Sequence, residues 1–184
     1  MGSFINNVIC KCKGVDQMYR SLVPGIMKKI SILFLIGIMV FISGCTKTEK
    51  NPDIVLAYST VIDKLYSEDS GLNGDIKYLA IDTSHMVNLT DKTKAELLKE
   101  LDKYGFIVLN MTFKDLKSQG YIKDLVFKKG ILFQIEDEPF KNNCIKMKAS
   151  KWRSGLGAIG YNKITVEYKE GKWQITELTG MWIS

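Results

Sequence analysis

The sequence is poor in the residues that bind transition metals. It has one histidine, His85, and four cysteines in 184 residues. Cys10 and Cys12 lie close together, but one such pair is a weak indication of a zinc site, which takes four ligands in a tetrahedral arrangement. We therefore expect no metal ion and no other cofactor.

The sequence also lacks a hydrophobic run long enough to cross a membrane. Its longest apolar segment, residues 30–42, has 13 residues, whereas a bilayer core about 30 Å thick requires about 20. This segment follows the basic start Met27-Lys28-Lys29 and is followed by Ser43-Gly44-Cys45. A basic start, a short apolar core and small residues before a cleavage point are the parts of a secretory signal peptide.

The arrangement resembles a bacterial lipoprotein signal peptide that ends in a lipobox. The resemblance implies that Cys45 carries a lipid and, after cleavage of the preceding peptide bond, becomes the first residue of a protein held at the outer face of the cell membrane. A signal peptide rarely follows so long a preface, and we interpret that preface as sequence upstream of the true start codon. The predicted organisation is a gene-start extension (1–26), a signal peptide (27–44), a polar tether (45–52) and one domain (53–184).

Most of the net positive charge belongs to the segment before the lipobox cysteine. The whole chain has 26 basic and 20 acidic residues, a net charge of +6. Residues 45–184 keep 21 basic and 19 acidic residues, a net charge of +2, and we expect no nucleic-acid partner. These 140 residues suit one domain with one core. If Cys45 is acylated, Cys144 has no cysteine partner, and we expect no intramolecular disulfide.

Three segments have the pattern of helices. The first begins with Asn51 as a cap and Pro52 at the first helical position, and its apolar residues recur at intervals of three and four. The second is capped by Thr90 and ends at Gly105. A third, short helix is predicted to start at Thr112, which forms a capping-box pattern with the residue three positions later.

The remaining apolar residues have the pattern of strands. Short apolar runs predict strands at 76–81 and 106–109, and alternation with a period of two predicts further strands at 131–136, 145–150, 163–169 and 172–178. One face of the alternating strands is apolar and the other is polar. The sequence therefore predicts an α+β fold, with N-terminal helices packed on the apolar face of a curved, mainly antiparallel sheet of four to six strands.

The order of these elements, the glycine-rich stretch 150–160 and the ending 181–184 resemble uncharacterised lipoproteins of Gram-positive bacteria. The resemblance covers most of residues 53–184 and implies a cystatin-like or ketosteroid-isomerase-like cone fold, in which a curved sheet wraps a long helix around a pocket. It implies no catalytic residues, because one fold supports many activities. The excess of lysine over arginine, 24 to 2, agrees with the AT-rich genome of such a bacterium.

Residues 155–160 match the G-x-G-x-x-G pattern of dinucleotide-binding folds. That pattern binds a pyrophosphate where a buried strand turns into a helix. Here a lysine-rich segment precedes the glycines and an alternating strand follows them. We interpret them as a connection between strands and expect no nucleotide.

The same region contains the residues that we predict to form a binding surface: Trp152, Arg153 and Trp182. Aromatic and arginine side chains often carry the binding energy of an interface. Arg153 is the only arginine after residue 44, and a guanidinium beside a glycine-rich turn is able to hold an anion. The alternative is that Arg153 pairs with a carboxylate at the surface.

Asp82 and His85 are residue types that acyl-transfer enzymes use, and both lie in one connection. Neighbouring residues of an extended segment point in alternating directions, which favours an exposed loop histidine over a catalytic one. The three carboxylates at 136–138 are possible calcium ligands, but they lack the spaced donors of a loop site, so we expect a solvated turn.

These observations predict a lipid-anchored, extracytoplasmic module that binds a small molecule or a protein and has no catalytic residues. The alternative is a small cone-fold enzyme that uses Asp82 and His85. A solute receptor for an importer is a third class, although 140 residues are few for a two-lobed receptor.

Overall fold

Three helices and six strands make up the part of the chain that the computed structural model describes, residues 52–184. The helices are α1 (Ile54–Ser67), α2 (Asp91–Glu100) and α3 (Phe113–Ser118). The strands are β1 (Tyr78–Asp82), β2 (Ile107–Asn110), β3 (Gly130–Asp137), β4 (Cys144–Ser154), β5 (Gly157–Lys169) and β6 (Lys172–Ile183). Short 3₁₀ turns, Ser70–Asn73 and Leu101–Tyr104, follow α1 and α2.

The strands form one curved, open sheet in the order β2-β1-β3-β4-β5-β6. Strand β1 pairs in parallel with both β2 and β3, and the other three pairs are antiparallel. The predicted α+β class and the number of strands are confirmed. The sheet is mixed because a crossover containing α2 joins β1 to β2. The sequence did not indicate this parallel pairing, because the apolar pattern of a short strand does not encode its direction.

Local hydrogen bonds explain where the helices begin. Helix α1 starts two residues later than predicted, because the carboxylate of Asp53 accepts from the backbone N–H of Val55 at 3.0 Å and acts as the cap. The predicted cap, Asn51, lies outside the described residues. Thr90 and Thr112 cap α2 and α3, as predicted, and both form capping boxes.

The main core lies between helices α1 and α2 and one face of the sheet. Helix α1 lies against β4, β5 and β6. Its apolar stripe is fully buried at Tyr58, Val61, Ile62 and Leu65. The space between the long helix and the sheet is therefore filled with side chains.

The opposite face of the sheet is only half covered, and the prediction that this face is polar is wrong for the covered half. Helix α3 and the segment after it pack a second apolar cluster over β1 and β3: Ala80, Leu116, Ile122, Phe127 and Leu132. Leu132 is fully buried, although the alternation within the predicted strand 131–136 assigns it to the same face as the polar Gln134 and Glu136. The outer face of β4, β5 and β6 beyond this cluster is open.

No helix within residues 52–184 is long and apolar enough to cross a membrane. The predicted signal peptide, the lipid-bearing Cys45 and all but the last residue of the predicted tether lie outside the described residues.

Candidate binding groove on the open face of the sheet

A groove crosses the open half of the sheet. Its upper part is a cavity of about 290 Å³ between the outward side chains of β3, β4, β5 and the end of β6. Four residues in register form a row across these strands, because Gln134 is opposite Ser150, Ser150 is opposite Gly160, and Gly160 is opposite Trp182. The row is continuous because residues in register on neighbouring strands lie on the same face of a sheet.

Trp182 lies directly over Gly160. A Cβ atom at position 160 would come within 2.6 Å of Cζ2 of the indole and 2.9 Å of the carbonyl oxygen of Ala149, both closer than such atoms approach in proteins. Only glycine therefore allows the indole to rest on the backbone of β5. The residue remains 38% exposed, so the strand supports one part of the ring while another part stays accessible from the groove.

A β-bulge brings Asn162 to the groove. Between the pairs Met147–Ile164 and Ala149–Tyr161, strand β5 has one residue more than β4. Both residues of the bulge, Asn162 and Lys163, are exposed. A bulge of this kind redirects a side chain that regular pairing would place elsewhere.

The lower part of the groove is a cavity of about 410 Å³ that shares Glu136, Lys148 and Asn162 with the upper part. Two of its lysines pair with carboxylates. The ammonium of Lys148 lies 3.6 Å from a carboxylate oxygen of Glu136, and the ammonium of Lys163 lies 2.7 Å from Glu177. The hydrogen bond from Lys163, with a second from Thr165, lowers the pKa of the Glu177 carboxyl.

Trp152, the first of the predicted binding residues, forms the border between the covered and the open halves of this face. Its ring meets Phe113 edge to face, with centroids 5.0 Å apart, and packs against the second apolar cluster. Trp152 is half-buried. It shares a face with Trp182 but belongs mainly to the packing under α3.

Arg153 points away from the groove. Its guanidinium donates to the carbonyl oxygens of Leu72 at 2.8 Å, Gly74 at 2.7 Å and Lys128 at 3.2 Å. The structure thus separates Arg153 from the two tryptophans, and its partners are backbone carbonyls instead of the expected anion or surface carboxylate. A guanidinium held by three carbonyls ties the segment after α1 to strand β4.

The glycine-rich stretch was predicted to be a connection between strands, and this is confirmed only for its first two residues, because β5 already begins at Gly157. Gly155 lies in the turn between the antiparallel strands β4 and β5, and residues 157–160 belong to β5. A dinucleotide site requires the turn from a strand into a helix, which is not present at this position.

Asp82 and His85 are not brought together as a catalytic pair. Asp82 accepts from the backbone N–H of Ser84 at 3.0 Å and from its hydroxyl at 2.5 Å, which closes a local turn. His85 is exposed. Among residues 52–184 no hydrogen bond joins the two side chains.

The three carboxylates at 136–138 do not share one site, because Glu136 pairs with Lys148 and Asp137 has other partners. Asp137 accepts from the hydroxyl of the fully buried Tyr58 at 2.5 Å and from the backbone N–H of Val87 at 2.8 Å. Burial and this carboxylate raise the pKa of Tyr58 well above its ordinary value. The described residues contain no group of three metal ligands, and Asp137 is not a free calcium donor.

Sequence reasoning identified Trp182 but not its polar neighbours. Gln134, Ser150 and Asn162 are ordinary residues at outward positions, and their proximity depends on strand register and on a bulge. Neither can be read from one sequence. No local pattern in the sequence therefore indicates these three residues.

No protein-family model matches the chain, and no curated protein or solved structure matches it.

Proposed function

We propose that residues 53–184 are a binding module, that a lipid on Cys45 holds this module at the outer face of the cell membrane, and that the groove around Trp182 is its ligand site. The basic start, the 13-residue apolar run and the small residues before Cys45 support the anchor. The ligand is a small molecule or a protein, either free or part of the cell envelope.

The observation that carries the proposed site is the support of Trp182 by Gly160. Large aromatic side chains are normally buried, and an exposed one that is held in place offers contact area at a low cost in conformational entropy. The polar residues of the same row, Gln134 and Ser150, lie beside it. An aromatic surface with a few adjacent polar groups is typical of ligand sites.

We further propose that the domain is related to the cystatin-like cone folds. The curved sheet with a long helix lying across its last three strands supports this relationship. The helix side of the sheet is filled with side chains such as Tyr58 and Leu65, each fully buried. The ligand site that we propose therefore lies on the face away from α1.

Capture of the full chain by purified cell walls of a low-GC Gram-positive bacterium tests the proposed site. The chain is kept in a detergent without sugar headgroups, mixed with walls and sedimented. Gly160→Ala places a methyl group against the indole and should lower capture about ten-fold, the effect of losing about 1.4 kcal/mol. Gly155→Ala is the matched control, because a methyl group there lies 3.9 Å from Leu125 and displaces nothing.

Trp182→Ala provides a second variant that adds no steric strain. It should reduce capture as strongly as Gly160→Ala while it keeps the circular dichroism of the wild type. If Trp182→Ala leaves capture unchanged, the groove is not the ligand site.

A further inference from the structure

We infer that the groove takes an uncharged saccharide and that one sugar ring lies on the exposed part of the Trp182 indole. This inference rests on the proposed function of the same groove and adds the chemical class of its ligand. Three properties of the groove support it: its aromatic surface, its neutral polar groups and its balanced charges.

The aromatic surface suits one face of a pyranose ring. The face of an indole carries partial negative charge, and the C–H groups on one face of a sugar ring are apolar and slightly positive. Trp182 is held over Gly160 and is 38% exposed. A sugar ring that stacks on it would bury this apolar surface without moving the side chain.

The polar neighbours suit hydroxyl groups. The amides of Gln134 and Asn162 each offer donors and an acceptor, and the hydroxyl of Ser150 offers both. Among residues 52–184, none of these three side chains forms a hydrogen bond, and all three line the upper cavity. Sugar hydroxyls also donate and accept, so they match such groups better than a purely cationic or anionic ligand does.

The charges of the groove favour an uncharged ligand. The lower cavity is lined by three acidic residues, Glu136, Asp137 and Glu138, and by three basic ones, Lys146, Lys148 and Lys163. Glu136 and Lys148 already pair with each other. With no excess of either sign, the groove has no field that would select an ion. Its volumes of about 290 and 410 Å³ lie at the lower end of the range of small-molecule sites.

Calorimetric titration of the full chain tests this inference. The probes are short oligomers of glucose and of N-acetylglucosamine, with an oligomer of galacturonic acid as the charged counterpart, in a detergent without sugar headgroups. We expect at least one neutral oligomer to bind, with a Kd that changes little between about 0.05 and 0.5 M salt. Trp182→Ala should raise this Kd about ten-fold or more, and Trp182→Phe should raise it less.

Gln134→Ala and Asn162→Ala should each raise the Kd several-fold, and Gly155→Ala should leave it unchanged. Three results would overturn the inference: no binding of either neutral oligomer, a Kd that is indifferent to Trp182→Ala, or tighter and salt-sensitive binding of the charged oligomer. If the oligomers do not bind while Gly160→Ala still lowers wall capture, the ligand is not a neutral saccharide, but the groove remains the proposed ligand site. If the neutral oligomers bind Trp182→Ala and Gly160→Ala as tightly as they bind the wild type, the proposed site itself is wrong.

Discussion

At the scale of single residues, two cations on β4 hold the segment that follows helix α1. Arg153 donates to carbonyls of Leu72 and Gly74. Lys151 is fully buried, and its ammonium donates to the carbonyl of Asp69 and to the side chain of Asn73, each at 3.1 Å. Burial is the main cause of the lowered pKa of Lys151. Both cations serve the fold, which leaves Trp182 as the candidate that faces a ligand.

Arg153→Ala should therefore destabilise the domain. Hydrogen bonds to a charged group contribute about 1.5–3 kcal/mol, and we expect a loss of about 2 kcal/mol in the free energy of unfolding, measured by chemical denaturation. Lys92→Ala is the control, because Lys92 is 85% exposed and its pair with Glu96 should contribute less than about 0.5 kcal/mol. If Arg153→Ala and Lys92→Ala are equally stable and only Arg153→Ala loses wall capture, Arg153 belongs to the binding site instead.

At the scale of elements, the end of helix α1 depends on a carboxylate. Glu68 follows the helix and accepts from Lys64 at 2.5 Å and from the hydroxyl of Tyr161 at 2.9 Å. The hydrogen bond from Lys64 is the main cause that lowers the pKa of the Glu68 carboxyl below its ordinary value of 4.5. The ionised form is thus favoured in the folded protein.

This lowered pKa predicts a stability that depends on pH. Because the pKa is lower in the folded than in the unfolded chain, the contribution of Glu68 is complete above the unfolded pKa and is lost as the pH falls through the folded pKa. Wild type should be more stable than Glu68→Gln at about pH 7, and the difference should shrink by about pH 3. Denaturation curves of both proteins at the two pH values measure it. A constant difference would show that Glu68 acts through packing instead.

The elements also show what a sequence encodes. Helices α2 and α3 were predictable because their caps, Thr90 and Thr112, form hydrogen bonds within four residues. The strands after residue 130 were predictable because burial on one face imposes a period of two. The parallel pairing of β1 and the burial of Leu132 depend on where other segments pack. The row from Gln134 to Trp182 depends on register across four strands, which no local pattern specifies.

At the scale of the whole molecule, the position of the groove follows from unequal coverage of the sheet. Helices α1 and α2 cover one face, and α3 covers only the β1 and β3 half of the other. Trp152 ends the covered half by packing on Phe113. The outer face of β4 to β6 is left open, and this is where Trp182 and its polar neighbours lie.

The proposed anchor makes a prediction about the whole chain. Intact-mass analysis of the protein expressed in a Gram-positive host should show a chain that begins at Cys45 and carries two acyl chains, because one chain gives only weak membrane binding. Cys45→Ala should remain unprocessed or be released from the membrane. A wild-type protein that retains residues 28–44 and carries no lipid would contradict the anchor.

The most direct test of the proposed groove is a two-dimensional NMR titration of the isotope-labelled full chain with a solubilised cell-wall fraction. The indole N–H of Trp182 and the side-chain amides of Gln134 and Asn162 report on the groove separately from the rest of the domain. We predict that these three signals shift first and saturate together, and that they stay unchanged in Gly160→Ala. Shifts confined to another region, such as the loop around His85, would contradict a ligand site at Trp182.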